Sequence, residues 1–479
     1  MIEFLTSRSR RQTQLRCARA RYLLDEAFGT GYEPVKLAVP LLTGSSVHKG
    51  LARLLRADEI DVAVAVAIKD YESRCTNRQL DLEQLESQSY VFAEQRALVE
   101  ALVRLAGLRI VPKLLEQYEV LEVERMDKEK IVSDPEFSVL WRSIPDALLL
   151  SRADGELYVL SWKTTTEYDQ RRDQDARVDM QGLSEPWALE QRLGNWRKIR
   201  ERPEIQERPE RHPDEIFPDW FRTHLDQGGS TEIRGVQMVY LVKGPRRKMS
   251  KDQMAAEGLS GGEMKKHSCP LIYGYKKDSA PGLAPPELAT SSDWHCSKPH
   301  TMRRSQWYPT GECSGDGRLH KRGDEWKSFP VWNATGGVRA WMELLDKGLV
   351  TPEAGDPLEQ SYAIPVPHFR TRESTAAWLR QTRAAERRNA QDLMFLREFE
   401  QEIEREPNDE ALWQSFQAHL DLSAFGEQNT EKCGDWFHRK CPAWELCHGP
   451  AGIARDPIRS GLFQVKTAYD GPDGNEAGS

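Results

Sequence analysis

Two apolar runs, 147–150 and 157–160, flank a turn at Ala153-Asp154-Gly155 and predict an antiparallel β-hairpin. Upstream, polar and apolar residues alternate over 119–125 in the manner of a strand, with 137–141 expected as its neighbour. Downstream, 231–243 alternates early and turns wholly apolar late, as a central strand buried on both faces does. Elsewhere the period is helical. It runs over 58–75 and over 80–105, where Phe92, Leu98, Leu102 and Leu105 repeat and Gly107 closes the helix. Further helices are expected over 371–405, over 409–422 and, as a polar helix interrupted at Pro186, over 168–193. Gly44-Ser45-Ser46 offers an N-cap to an amphipathic helix ending at Leu55, which places His48 in its first turns. The arginine-rich opening, 7–24, takes helical spacing in its second half and breaks at Phe28-Gly29-Thr30-Gly31.

Periodicity fails in three places. Residues 197–218 are rich in proline and charge, and 244–365 in Gly, Pro, Ser and aromatic residues; 455–479 end in a Gly/Asp-rich tail expected to be disordered. The resulting division is a core over 1–245, an irregular insertion lobe over 246–370, a helical region over 371–454 and the tail. Strands and helices together predict an α/β core with a mixed sheet flanked by helices.

The chain has 479 residues, 39% hydrophobic and 30% charged, enough for two or three lobes with a sizeable core. No run of about 18 apolar residues exists to span a bilayer, and the first residues lack a secretory apolar segment, so a cytoplasmic location and no membrane are expected. The net charge of -8 argues against general coating of a polyanion. Nucleic-acid contact would be confined to local basic clusters at 8–21, 197–211, 246–248, 298–304 and 380–388, each of which taken alone is more commonly a solvated face. With eight cysteines and no export signal, metal ligation is favoured over a disulfide framework.

Candidate chemistry lies in two groups. Asp146 enters the first strand of the hairpin and Lys163 leaves the second, so folding brings both to one end; a carboxylate beside an ammonium can hold a divalent metal and a water for phosphodiester hydrolysis. Both are equally the ordinary solvated ends of strands. In the second group Cys433, Cys441 and Cys447 crowd a proline-containing loop and want a fourth soft ligand, for which Cys17 is the candidate, with iron or zinc as the ion. In the insertion, Cys269, His295, Cys296, His300 and Cys313 fit no familiar zinc finger. Aromatic residues among basic ones there, as at Trp307-Tyr308, suit either stacking on a single strand or core packing.

Pro145-Asp146 and Ser161-Trp162-Lys163 resemble the PD-(D/E)XK nuclease superfamily. Cys17, the G-x-x-x-H of Gly44 and His48, Glu124, Gln181 and the last three cysteines follow in the order of its RecB-like iron-sulfur branch, the AddB-type and CRISPR-adaptation nucleases. The resemblance implies a restriction-endonuclease-like fold and a metal-dependent DNA nuclease, an exonuclease or single-strand and end-acting enzyme of recombination, repair or mobile-element metabolism. It implies Mg²⁺ or Mn²⁺ held by His48, Glu124 and Asp146, catalysis with Lys163, a nucleic-acid contact from Gln181, and a 4Fe-4S cluster on Cys17, Cys433, Cys441 and Cys447, with structural zinc the alternative. A helicase or recombination partner would be a separate chain, since no Walker A sequence occurs.

Three departures stand out. Glu185 replaces the tyrosine of the Gln-x-x-x-Tyr element, and the last three cysteines are more widely spaced than usual. Ser161 stands where a carboxylate is expected, and a hydroxyl cannot supply the second negative charge. The missing acid is expected from Glu124, ahead of Asp175 and Asp179; the alternative is a catalytically inactive nucleic-acid-binding or structural module.

Overall fold

In the computed structural model the described residues are 1–35, 39–76, 95–165 apart from 97, 179–202, 217–243, 361–429, 441–449 and 455–466, a few single positions including Cys433, and the backbone of 319–322 and 325–328. Strand β1 (Ile2–Ser7) leads into α1 (Arg8–Arg16), whose first turn is capped by the Ser7 hydroxyl accepting from the Arg10 amide at 3.4 Å. Cys17 is extended, so the helix expected in this region breaks there before α2 (Ala18–Arg21) and a π-helical turn, Tyr22–Glu26. A short β2 (Tyr32–Pro34) follows.

Helix α3 (Val39–Leu55) begins upstream of the cap expected at Gly44-Ser45-Ser46. The small residues lie inside it because tertiary contacts use them: Ser46 Oγ bonds Asp70 Oδ2 at 2.8 Å in α4 (Ile60–Thr76), and Thr43 Oγ1 bonds Gln95 Oε1 at 2.9 Å. His48 is therefore mid-helix. Gly107 likewise does not end its helix, since a π-turn, Ala106–Ile110, carries the chain on into α5 (Val111–Gln117). A Cβ at Gly107 would meet Ile60 at 2.7 Å, so this glycine serves a close helix approach.

Strands β3 (Tyr118–Val123), β4 (Asp127–Ser133), β5 (Phe137–Ser143), β6 (Ala147–Ser151) and β7 (Leu157–Thr165) come next, and the hairpin is the antiparallel β6–β7 pair with Ala147 opposite Leu160. The segment 137–141 is not the neighbour of 119–125. It lies in β5, which pairs with β1 in parallel and β4 antiparallel in a separate three-stranded sheet. After α6 (Gln181–Arg200) and α7 (Asp219–Asp226) comes the central strand β8 (Ile233–Val242), parallel to β7. α6 runs through Pro186 uninterrupted. A backbone hairpin, β9 (Leu319–Arg322) and β10 (Glu325–Ser328), precedes β11 (Tyr362–Ala363) and β12 (His368–Phe369), both of which pair with β8. The main sheet is six-stranded and mixed, in the order β11-β8-β7-β6-β3 with β12 also on β8. The C-terminal helices are α8 (Arg372–Arg405), α9 (Glu410–Leu422) and α10 (Trp444–His448).

Alternation along β6–β8 sorts side chains onto two faces. Leu149, Leu160, Trp162 and Leu241 pack under α3 and α4 residues such as Val47, Leu51 and Ala67. Leu148, Val159, Met238 and Tyr240 pack against Leu189, Leu193 and Trp196 of α6 and Phe221 of α7. A further core joins Phe4, Phe137, Val139 and Trp141 of the small sheet to Trp378, Leu393 and Leu396 of α8. The protein is thus mixed α/β, with helices on both faces of the main sheet. Among the described residues no helix is long and apolar enough to cross a membrane.

The expectation of disorder from 455 onward does not hold for 455–466. There β13 (Phe463–Val465) pairs with β2, and the Lys466 amide bonds the Gly31 carbonyl at 3.1 Å. Residues 467–479, Asp175, the insertion's zinc candidates Cys269, His295, Cys296, His300 and Cys313, and Trp307-Tyr308 lie outside the described residues.

Candidate functional site

The hairpin end collects side chains from six segments. His48 Nδ1 lies 2.7 Å from Asp146 Oδ1, and the Trp162 amide donates to Asp146 Oδ2 at 2.8 Å. Burial disfavours charge on both side chains, but their mutual attraction prevails: His48 is held above the usual histidine range and Asp146 below the usual carboxylate range. Glu124 comes just after β3, not on it as the sequence suggests. Its backbone takes φ +50°, and its amide donates to the Asp146 carbonyl at 3.1 Å. A left-handed glutamate costs about 1 kcal/mol or more and persists only where its surroundings enforce it, a trait of functional sites. Burial and then the nearby Asp146 push its carboxyl up against the pull of Lys49 and His48, and its Oε2 is buried without a hydrogen-bond partner among the described residues.

By the strand period, Ser161 and Lys163 share the β7 face turned to α6. There Gln181, only 7% exposed, is the hub. Its carbonyl oxygen accepts from both Lys163 Nζ and Arg8 Nη1, and its Nε2 donates to Ser161 Oγ at 2.7 Å. One turn on, Glu185 accepts from the same amide, and burial pushes its carboxyl up to about 7, opposed by Arg8 and Lys163 and reinforced by Asp146. Its Oε2 also has no hydrogen-bond partner among the described residues. Burial, with Arg8 next, lowers the Lys163 pKa, while Glu185, Asp146 and Asp179 oppose the drop. Asp179 Oδ1 accepts from the Gln181 amide at 2.8 Å, so its position belongs to the start of α6.

Sequence reasoning missed Glu185 and Arg8. Glu185 had a readable signal: it stands four residues after Gln181, hence on the same helix face, which faces Ser161. Arg8 opens the basic cluster at 8–21, but nothing in the spacing singled it out, because only the tertiary fold carries α1 to the hairpin.

For a hard divalent cation the donor types fit: three carboxylates, one imidazole, and two buried carboxylate oxygens, Glu124 Oε2 and Glu185 Oε2, that no group among the described residues satisfies. Burial raises the Glu124 and Glu185 carboxyls and Asp146 raises both further, a cost that a bound cation would offset. Among the described residues no group of three or more His, Cys, Asp or Glu side chains stands in a metal-holding arrangement, so the set is gathered without being closed.

The chain ends meet at the cysteines. Cys17 and Cys441 share a small buried cluster with Ala20 and Ala443, and the partly buried Cys447 packs against it. Cys433 is tied in by its carbonyl accepting from the Cys441 amide at 2.8 Å, with its Sγ 3.5 Å from His448 Nε2. Burial raises the thiols of Cys433, Cys441 and Cys447, the last two to about 11 and 12, and each is raised further by neighbours among these cysteines, Cys17 included. Four soft donors within electrostatic reach of one another suit iron or zinc, although these too are not closed into a ligand set. His448 is a residue that sequence reasoning missed.

Among known proteins, no family model and no curated protein matches the chain.

Proposed function

We propose that the protein is a metal-dependent DNA nuclease of PD-(D/E)XK type, acting on single strands or ends, with a structural 4Fe-4S cluster joining its termini. The observation that carries the reading is the convergence of His48, Glu124, Asp146, Lys163 and Glu185 at one end of the β6–β7 hairpin. Asp146, His48 and Glu124 would hold Mg²⁺ or Mn²⁺, and Glu185 provides in space the acid that Ser161 does not provide in sequence. Such an ion, when bound, supplies Lewis acidity and a more acidic water. The protein's own groups do the rest. His48 holds Asp146 by charge and the Trp162 amide fixes its second oxygen, so the carboxylate is oriented before substrate arrives. Lys163, kept in place by Gln181, orients the attacking water or stabilises charge growing on the phosphate. Burial makes its ammonium a readier proton donor than a solvated lysine.

Labelled single- and double-stranded DNA incubated with Mn²⁺ tests the reading. Asp146→Ala, Lys163→Ala and Glu124→Gln are each expected to lower cleavage on the order of 10²-fold or more, the size seen when one preorganised catalytic group is removed. Retained cleavage in Asp146→Ala or Lys163→Ala sinks the assignment.

Ser161 favours a second reading, a nuclease-like fold that binds nucleic acid without cutting it. DNA binding by gel shift with no cleavage across metals and ends would establish that module. The cluster reading rests on the meeting of Cys17 with Cys433, Cys441 and Cys447, and zinc in place of iron after anaerobic purification would replace it with a structural zinc site. A helicase or recombination partner fits the same role.

A further inference from the structure

We propose that Arg8 and Lys163 form a cradle for one backbone phosphate of a bound nucleic-acid strand, with the carbonyl oxygen of Gln181 as its floor. The inference rests on the nuclease reading of this site and adds to it a binding residue from the far N-terminus.

Two cations donate to one atom, Gln181 Oε1. An amide oxygen accepts hydrogen bonds but has no net charge, so it can position both cations without neutralising either. Nearby acids are largely committed elsewhere. Asp146 is bonded to His48 and the Trp162 amide, and Asp179 Oδ1 takes the Gln181 amide while standing 3.9 Å from Arg8 Nη1. Glu185 lies within electrostatic reach of both cations and, in the nuclease reading, serves the metal. Among the described residues the two cations have one close ion pair between them, Asp179 with Arg8, and a phosphate would answer the remaining positive charge.

Arg8 is built to meet one. Its side chain is 31% exposed, so the guanidinium opens to solvent while one nitrogen is anchored on a buried amide. A planar fork with five donors matches two phosphate oxygens at once, whereas Lys163 acts as a point charge. α1 begins at Arg8 and has no acidic residue in its first turn, so the positive end of the helix adds to the same field. Because Lys163 serves the reacting phosphate, the cradle holds that phosphate or its immediate neighbour.

The test is the anisotropy of a labelled single-stranded oligonucleotide titrated with the full chain in Ca²⁺ over a range of KCl. Arg8→Gln should weaken binding about tenfold and reduce the slope of log Kd against log[salt] by about 0.7, the value for one phosphate on a single strand. Arg8→Lys should restore the slope and only part of the affinity. Arg11→Gln is the control, since Arg11 is on the same helix but bonds Gln14 at 2.9 Å, and it should change neither. Unchanged affinity and slope in Arg8→Gln, or an equal loss in Arg11→Gln, overturns the cradle. If the unaltered chain cleaves DNA while Arg8→Gln binds normally, the cradle alone fails. If it binds in an Arg8-dependent way without cleaving, the cradle stands and the nuclease reading fails. Failure of the unaltered chain to bind at all overturns both.

Discussion

On the proposed nuclease reading, Glu185 supplies the carboxylate that Ser161 does not. A metal responds to oxygen anions in space, and β7 and α6 are close enough for the Gln181 amide to bond both residues. The buried Glu185 carboxyl, raised to about 7, also makes a pH prediction. Between the ordinary glutamate value of about 4.3 and about 7, the folded chain keeps a proton that the unfolded chain has released. Stability of the metal-free protein that depends on this proton is therefore present at the acid end and lost as pH rises through about 7. In urea melts of metal-free protein, Glu185→Gln should gain on the unaltered chain by on the order of 3 kcal/mol between pH 5 and pH 8. The same variant should lose Mn²⁺-dependent cleavage. A constant stability difference across that range would mean that Glu185 titrates normally.

Helix α6 is the element that assembles the site. Its first turns present Gln181 and Glu185, and its middle buries Leu189 and Leu193 against the sheet. Further along, Arg192 reaches across to the β3–β4 region, bonding both oxygens of Glu122 at 3.1 and 2.5 Å with Nε 2.7 Å from Asp127 Oδ1. Trp196 is flanked by the guanidinium groups of Arg192 at 4.6 Å and Arg125 at 4.7 Å. Glu122 and Asp127 are deeply buried, at 9% and 0% side-chain exposure, so removing Arg192 strands Asp127 and leaves Glu122 only the more exposed Arg125. Arg192→Met is expected to cost about 3–5 kcal/mol in denaturant unfolding. Since Arg192 links α6 to the strands beside Glu124, cleavage should fall with it. A loss below about 1 kcal/mol, the range of surface ion pairs, would show that the clamp is solvent-relaxed.

Across the whole molecule, the chain closes on itself. β13 pairs with β2, the Arg19 amide donates to the Glu427 carbonyl at 3.2 Å, and Cys17 faces Cys441 and Cys447. Long-range closure restricts the unfolded chain more than a local link does; on chain entropy alone, a disulfide closing a loop of about 100 residues stabilises by roughly 4.7 kcal/mol. If the proposed cluster is present, anaerobically purified protein is brown, and Cys17→Ala should bleach it, lower the iron content and reduce the melting temperature by several degrees. Because α1 has Arg8 at one end and Cys17 just beyond the other, the same variant should weaken oligonucleotide binding. Full iron content in Cys17→Ala would remove Cys17 from the ligand set.

The β6–β7 hairpin, β8, α4, α8 and α9 were legible in the sequence because each is set by local periodicity and turn chemistry, with burial merely confirming them. Asp146 and Lys163 were legible for the same reason: a hairpin's register follows from its turn. The start of α3, the passage through Gly107 and the placing of β5 in a second sheet were not, since packing between distant elements overrides a local cap, break or neighbour. The sequence by itself determined which chemical groups the chain carries and the order of most elements. Only the tertiary structure decided which groups meet, because bringing Arg8, Glu124 and Glu185 to one hairpin end depends on how sheets and helices stack, and no spacing along the chain records that.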